Sequence, residues 1–211
     1  MVYVLTVDQR NSRHRIDAVE GALVRLTGIE AIRVFERTVG DEFQGVLAQP
    51  VSVIQAMLIL MDSSRGSPKS DWHLGIGVGA VETPMPASVR SARGPAFVAA
   101  RTAVERAKRR GSGVEVATDP DSRPAHDAGT GCQLLLDLIQ RRTDAGREAV
   151  ALVRAGLTQQ RAADRLGVSR QAVGQRLASA RWPLEQSAVE MLAFLLERTD
   201  LLERTGQAAP A

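Results

Sequence analysis

Cysteine is all but missing from this 211-residue sequence: Cys132 stands alone, which excludes an intrachain disulfide and a cysteine-rich zinc site. Three scattered histidines, His14, His73 and His126, offer no metal-ligand spacing. Aromatic residues make up 3%, so aliphatic side chains must carry most of the packing. No apolar run approaches about 18 residues, which argues against a membrane-spanning helix. The opening MVYVLTVDQR turns polar too soon for a signal peptide, so the expected setting is the cytoplasm, with no membrane partner. Lysine is scarce too, with Lys69 and Lys108 the two among 27 basic residues, so the clustering of arginines is informative and their total is not.

What is present is enough for real cores: 44% hydrophobic and 24% charged residues, in a length that suits two small domains or one large one. The net charge of +3 is unevenly spread. Between Ala145 and Pro183 the basic residues are Arg147, Arg154, Arg161, Arg165, Arg170, Arg176 and Arg181, against Glu148 and Asp164, a local balance of +5. From Leu184 onward Glu185, Glu190, Glu197, Asp200 and Glu203 face only Arg198 and Arg204, a balance of −3.

That basic stretch holds Leu157–Ala180, LTQQRAADRLGVSRQAVGQRLASA, which reads as a helix-turn-helix. Thr158 is a good N-cap, and Ala162, Ala163 and Leu166 share one face of the helix after it. Gly167 supplies a tight turn, Val168 anchors it, and Ser169 caps a second helix whose inner face carries Val173 and Leu177. Its outer face is left with Arg170, Gln171, Gly174, Gln175 and Arg176. Gln and Arg are the side chains that pair with base edges and phosphates. Arg170, Gln171 and Gln175 are therefore expected to read the major groove of double-stranded DNA, with Thr158, Gln159, Ser169 and Arg176 on phosphates. One such motif reads few base pairs, so a homodimer on a two-fold site is expected. The competing reading is a helical hairpin with a solvated outer face.

Before residue 118, strands alternate with helices. Val2–Asp8 is a strand, a helix follows through Val19, Leu23 and Leu26, and Ala31–Thr38 and Gln44–Ala48 form a hairpin. Pro50 opens a helix ended by the Ser/Gly/Pro cluster at Ser63–Ser70. Trp72–Glu82 is a Gly-spaced strand, Gly94-Pro95 opens a helix to about Arg110, and Val114–Ala117 is a last strand, giving βαββαβαβ. Gly75, Gly77 and Gly79 are expected to admit a closely packed helix. Thr118–Gly131, rich in Asp, Pro and Gly, reads as a linker. Beyond it Leu134, Leu135, Leu138 and Ile139 mark one helix, Arg147–Arg154 another, and Leu184–Leu202 a last one after a stiff break at Trp182-Pro183. The last helix is either a dimer seam or a cover for its own domain's core.

Asp8 ends the first strand and Asp41 sits in the hairpin, so both carboxylates can reach one sheet edge. Such a pair would hold magnesium and, through it, a triphosphate. A plainer reading stands beside it, since Gly-Asp is a common turn pair and Asp8 could simply end its strand. Arg37-Thr-Val-Gly-Asp41-Glu-Phe-Gln44 resembles the metal-binding hairpin of class III nucleotide cyclases, and its Gly40–Phe43 core is similar to that of diguanylate cyclases. Leu74–Val81 resembles the cyclase strand that follows, and Gly94–Arg101 the helix that supplies transition-state groups. The resemblance implies metal-binding roles for Asp8 and Asp41 and nucleotide-binding roles for Arg37 and Arg101, on purine and phosphate respectively. It departs at Phe97, where asparagine is expected, and at Val39, where diguanylate cyclases carry glycine. With these departures it implies a sensing or dimerising domain that takes a purine nucleotide or nucleotide second messenger with Mg2+. The alternative it implies is a magnesium-dependent purine nucleotide cyclase.

Over nearly its whole length the chain resembles the SatD family of small bacterial proteins. The matching pieces are the strand ending in Asp8 with Ser12-Arg13 after it, Gly40–Gly45 (GDEFQG), Gly94–Phe97 (GPAF) and the C-terminal helix-turn-helix. The expectation is an α+β protein: a ferredoxin-like, nucleotide-cyclase-like βαββαβ sheet domain over residues 1–118 and a linker over 119–131. An all-α winged-type or simple helix-turn-helix domain then fills 132–211. The expected function is a DNA-binding transcriptional regulator.

Overall fold

A computed structural model describes residues 2–11, 16–61 and 71–205 of the chain. The strands are β1 (Val2–Gln9), β2 (Arg33–Arg37), β3 (Glu42–Leu47), β4 (Trp72–Gly79) and β5 (Val114–Ala117). Between them lie α1 (Val19–Leu26), α2 (Pro50–Met61) and α3 (Pro95–Arg110). Then follow α4 (Arg123–Gln140), α5 (Asp144–Arg154), α6 (Gln159–Leu166), α7 (Arg170–Ser179) and α8 (Trp182–Thr205). The protein is thus mixed α+β, and the order through β5 is the βαββαβαβ of the sequence pattern. Among the described residues no helix is long and apolar enough to cross a membrane.

The sheet runs β2-β3-β1-β4-β5, antiparallel except for the β4–β5 pair. Alternation along β1 divides its side chains between two layers. Tyr3, Leu5 and Val7, with Phe43, Leu47, Leu74, Ile76 and Val78, are buried in one cluster with residues of α1, α2, α4 and α8. The scarce aromatics concentrate there, with Phe43 edge-on to Phe35 at 6.1 Å and to Trp72 at 5.3 Å.

The opposite face carries Val4 and Val46 and receives α3 through Ala96 and Ala100. α3 starts from Gly94 (φ +131°), takes Pro95 in its first turn and ends on left-handed Gly111. It lies on the glycines of β4 as the Gly spacing implied. A Cβ on Gly77 would stand 2.1 Å from the Ala96 carbonyl oxygen, and one on Gly75 would stand 2.3 Å from the Val104 nitrogen.

The expected linker over 119–131 is corrected by the structure: α4 begins at Arg123 and runs unbroken to Gln140. Its inner face there is built from Ala125, Ala128, Gly129 and Cys132, all buried. These are small residues at helical spacing, so a tightly packed face has the composition of a loop. A Cβ on Gly129 would already lie 3.2 Å from the Val116 nitrogen. A domain boundary at 131/132 falls inside this helix. α4 and most of α8 share the sheet's core, whereas α5, α6 and α7 close a smaller one around Ala149, Val150, Ala162, Ala163, Val173 and Leu177.

α8 begins at Trp182 rather than Leu184, the bend being made by Arg181 at φ +55°. Pro183 sits in the first turn, where its missing N–H breaks no helical bond. Leu192 and Leu196 of α8 are fully buried, while Leu184, Met191, Phe194 and Leu201 are exposed.

Candidate nucleic-acid interface and sheet-edge cluster

Each turn of the α6–α7 pair has a local cause. The Thr158 hydroxyl accepts from the Arg161 N–H at 3.3 Å, and the Ser169 hydroxyl accepts from the Ala172 N–H at 3.1 Å. Gly167 is left-handed, φ +65°, a conformation that glycine adopts at no steric cost. Buried Ala162 and Ala163 pack with Val173 and Leu177 and hold α7 across α6. Gly174 faces Gln159: a Cβ there would stand in ordinary contact, 3.7 Å from Gln159 Oε1.

An open groove of about 640 Å³ follows along α7, lined by Gln159, Arg170, Gln171, Gly174, Gln175 and Ala178. Four of the expected DNA-contacting residues, Gln159, Arg170, Gln171 and Gln175, thus come together on one exposed surface. Arg176 lies on α7 outside that lining. The Thr158 and Ser169 hydroxyls each accept one backbone N–H in capping and keep their own O–H, a donor of the kind that a phosphate oxygen accepts. As caps they also set the helix N-termini, whose first backbone N–H groups have no partner within the helix. No ion pair engages Arg161, Arg165, Arg170 or Arg176 among the described residues, so their charge is available to a partner.

The second constellation lies where β1 ends. Register places Asp8 opposite Glu42 on one side and His73 on the other, and directly opposed residues share a sheet face. α3 covers that face: Lys108 Nζ stands 2.9 Å from Asp8 Oδ1 and 3.1 Å from Glu105 Oε1. Arg101 lies 3.6 Å from Glu42 Oε1, which also accepts from the Thr38 hydroxyl at 2.8 Å. Burial raises the Asp8 carboxyl above its usual range, and nearby Asp41 and Glu42 push it the same way against the pull of Lys108. Burial draws Lys108 down, but its hydrogen bonds to Asp8 and Glu105 carry it above the ordinary lysine range.

The structure thus gathers Asp8 with Lys108 and Glu42 with Arg101 at one end of the sheet, with Asp41 near enough to act on the Asp8 carboxyl, whereas Arg37 lies apart. It pairs in register with Phe43, whose side chain belongs to the other face, and its guanidinium is held by Asp17, Glu20 and the Gly40 carbonyl. Ser12 and Arg13 lie outside the described residues. Magnesium needs bare carboxylate oxygens around it. Here the oxygens of Asp8 and Glu42 already face Lys108, Arg101 and Thr38, and the described residues contain no group of three His, Cys, Asp or Glu able to hold a metal. As arranged, an ion held by Asp8 and Asp41 would have to displace Lys108 from Asp8.

Lys108, Glu42 and His73 are the members that sequence reasoning missed. The one signal was that Lys108 is an exceptional lysine in an arginine-rich chain. His73 titrates at about 4, lowered by burial and then by the charges of Arg10 and Lys108. The folded protein thus holds neutral His73 where the unfolded chain binds a proton, so stability rises with pH between about 4 and 6.5. The urea midpoint is expected to drop across that window on acidification, and by less in His73→Gln; equal slopes for both proteins would contradict this. Cys132 is fully buried and its thiol is pushed up to about 12, which makes it inert. The chain matches no protein-family model, no curated protein and no solved structure.

Proposed function

We propose that the chain is a sequence-specific DNA-binding regulator in which α6 and α7 form a helix-turn-helix and α7 is the recognition helix. One observation carries the reading: Gln159, Arg170, Gln171 and Gln175 converge on an exposed groove, and the nearby arginines Arg161, Arg165 and Arg176 form no ion pair among the described residues. Arg170, Gln171 and Gln175 then contact base edges, and Arg176 contacts a phosphate. Two copies bind a two-fold site, because one recognition helix covers too few base pairs for selectivity.

The sheet unit supplies the input. Its order β2-β3-β1-β4, with crossovers through α1 and α2, supports the ferredoxin-like, cyclase-like reading. Arg101 is the residue placed to meet the phosphates of a purine nucleotide or nucleotide second messenger. The alternative, a magnesium-dependent purine nucleotide cyclase, draws on Asp8 and Asp41 meeting at one edge, but it requires Lys108 to leave Asp8. Incubation with ATP or GTP and Mg2+ decides it, and a cyclic product lost in Asp41→Ala would establish catalysis.

Footprinting on DNA selected from a random pool tests the regulator. Gln171→Ala is expected to lose about 1–3 kcal/mol of specific affinity, roughly 5- to 150-fold, and to relax the sequence at one position. Arg176→Ala should weaken binding to all sequences alike and reduce the salt slope by about one. No protected sequence for the wild-type protein, or undiminished affinity in Gln171→Ala, overturns the proposal.

A further inference from the structure

α8 has two faces, and among the described residues only one is used within the chain. Leu192, Leu196 and Glu185 are buried against the rest of the protein. On the other side Leu184, Ser187, Met191, Phe194, Arg198 and Leu201 are all exposed, with Phe194 60% and Leu201 59% accessible. These six follow the 4-3 alternation of a heptad seam, which keeps one stripe facing a second helix. The stripe runs 18 residues, about 26 Å of helix. It is polar at two places only, Ser187 and Arg198.

The order of residues along this stripe identifies its partner. Read backwards, it pairs with itself: Leu184 meets Leu201, Met191 meets Phe194, and small Ser187 meets long Arg198. A parallel pair would set Arg198 against Arg198, two like charges in an apolar seam. An antiparallel pair puts each Arg198 over Ser187, with the partner's Glu190 one turn further along. A surface complementary to itself about a two-fold axis is what an isologous dimer requires.

We infer that the exposed stripe of α8 docks on a second copy of this chain, antiparallel, with the two-fold axis between Met191 and Phe194. The inference rests on the two-copy reading above and fixes its surface and direction. The two recognition units are attached at the N-terminal ends of α8 and so leave the seam at opposite ends.

Sedimentation equilibrium of the full chain without DNA tests this. The wild-type protein should sediment at twice the chain mass of 22.7 kDa at micromolar concentration, and Phe194→Glu at the single mass with unchanged circular dichroism. Direction is read by cross-linking, since buried Cys132 does not compete. The double variant Ser187→Cys, Arg198→Cys should form covalent dimers under mild oxidation, and Ser187→Cys alone should not. A monomeric wild-type protein, a dimeric Phe194→Glu, or cross-linking by Ser187→Cys alone overturns the inference. Failure is separable from that of the DNA reading: a dimer that protects no DNA refutes only the latter, and a monomer that footprints refutes only this one.

Discussion

Replacing Glu185 with alanine is expected to lower stability by about 3–5 kcal/mol, a large part of the 5–15 kcal/mol that holds an ordinary domain together. The Glu185 side chain is 1% exposed and grips two arginines at once: Arg142 Nη2 at 2.5 Å and Arg154 Nη2 at 2.7 Å. Arg142 is itself 4% exposed, and its Nε donates to the Ala180 carbonyl at 2.8 Å, at the end of α7. The Arg154 guanidinium also lies over the Trp182 ring, 5.7 Å from its centre. Taking away the carboxylate leaves Arg142 charged, desolvated and short of its acceptor. Because these residues join the ends of α4, α5 and α7 to the start of α8, the damage should fall on the seating of the α5–α7 unit. Urea unfolding measures it through the midpoint. Such triads are held by matching more than by net attraction, so Arg142→Met, Glu185→Leu, Arg154→Leu together should recover most of the loss. A drop below about 1 kcal/mol for Glu185→Ala would refute the account.

Gly77→Ala is expected to be comparably severe, at or above the upper end of the 1–3 kcal/mol range for overpacking. Its new Cβ would lie 2.1 Å from the Ala96 oxygen and 2.3 Å from the Ala100 nitrogen. Both are backbone atoms of α3, so no side chain can rotate aside. The helix must instead lift from β4 and open the cluster of Val4, Val46, Ala96 and Ala100. Position decides the effect, and the residue type does not. Gly79→Ala meets its nearest atom at 3.1 Å and should be milder. Gly21→Ala, within α1 and with nothing within 4 Å, should stabilise by about 0.5–1 kcal/mol. The three urea midpoints, measured side by side, should fall in that order; a neutral Gly77→Ala would overturn the packing argument.

Periodicity and punctuation carried most of the fold into the sequence. Alternation in β1, the Gly94-Pro95 start of α3 and the Thr158 and Ser169 caps are local signals, and each element they mark is present. Residues 123–131 were opaque because alanine, glycine and a lone cysteine serve equally for a loop and for a helix pressed against a sheet. The apolar excess of α8 was visible in the sequence, without an indication of which face the chain itself would cover. Much less of the sheet-edge cluster was legible. Asp8 and Lys108 are 100 residues apart, and no local pattern tells that an ammonium group will stand against that carboxylate. The side of the sheet that Arg37 takes was not legible either, since one residue of register decides which face a side chain leaves from.

The hydrogen bond from the Tyr3 hydroxyl to the Leu196 carbonyl, 3.2 Å long, spans 193 positions of the chain. During synthesis β1 emerges well before the helix that covers it, with the 193 positions between Tyr3 and Leu196 made in the meantime. Until α8 is made, the sheet's apolar face around Tyr3, Leu5 and Ile76 lacks part of its cover. A nascent chain therefore carries a sticky, half-dressed sheet until α8 follows, and contacts of such long range are slow to close.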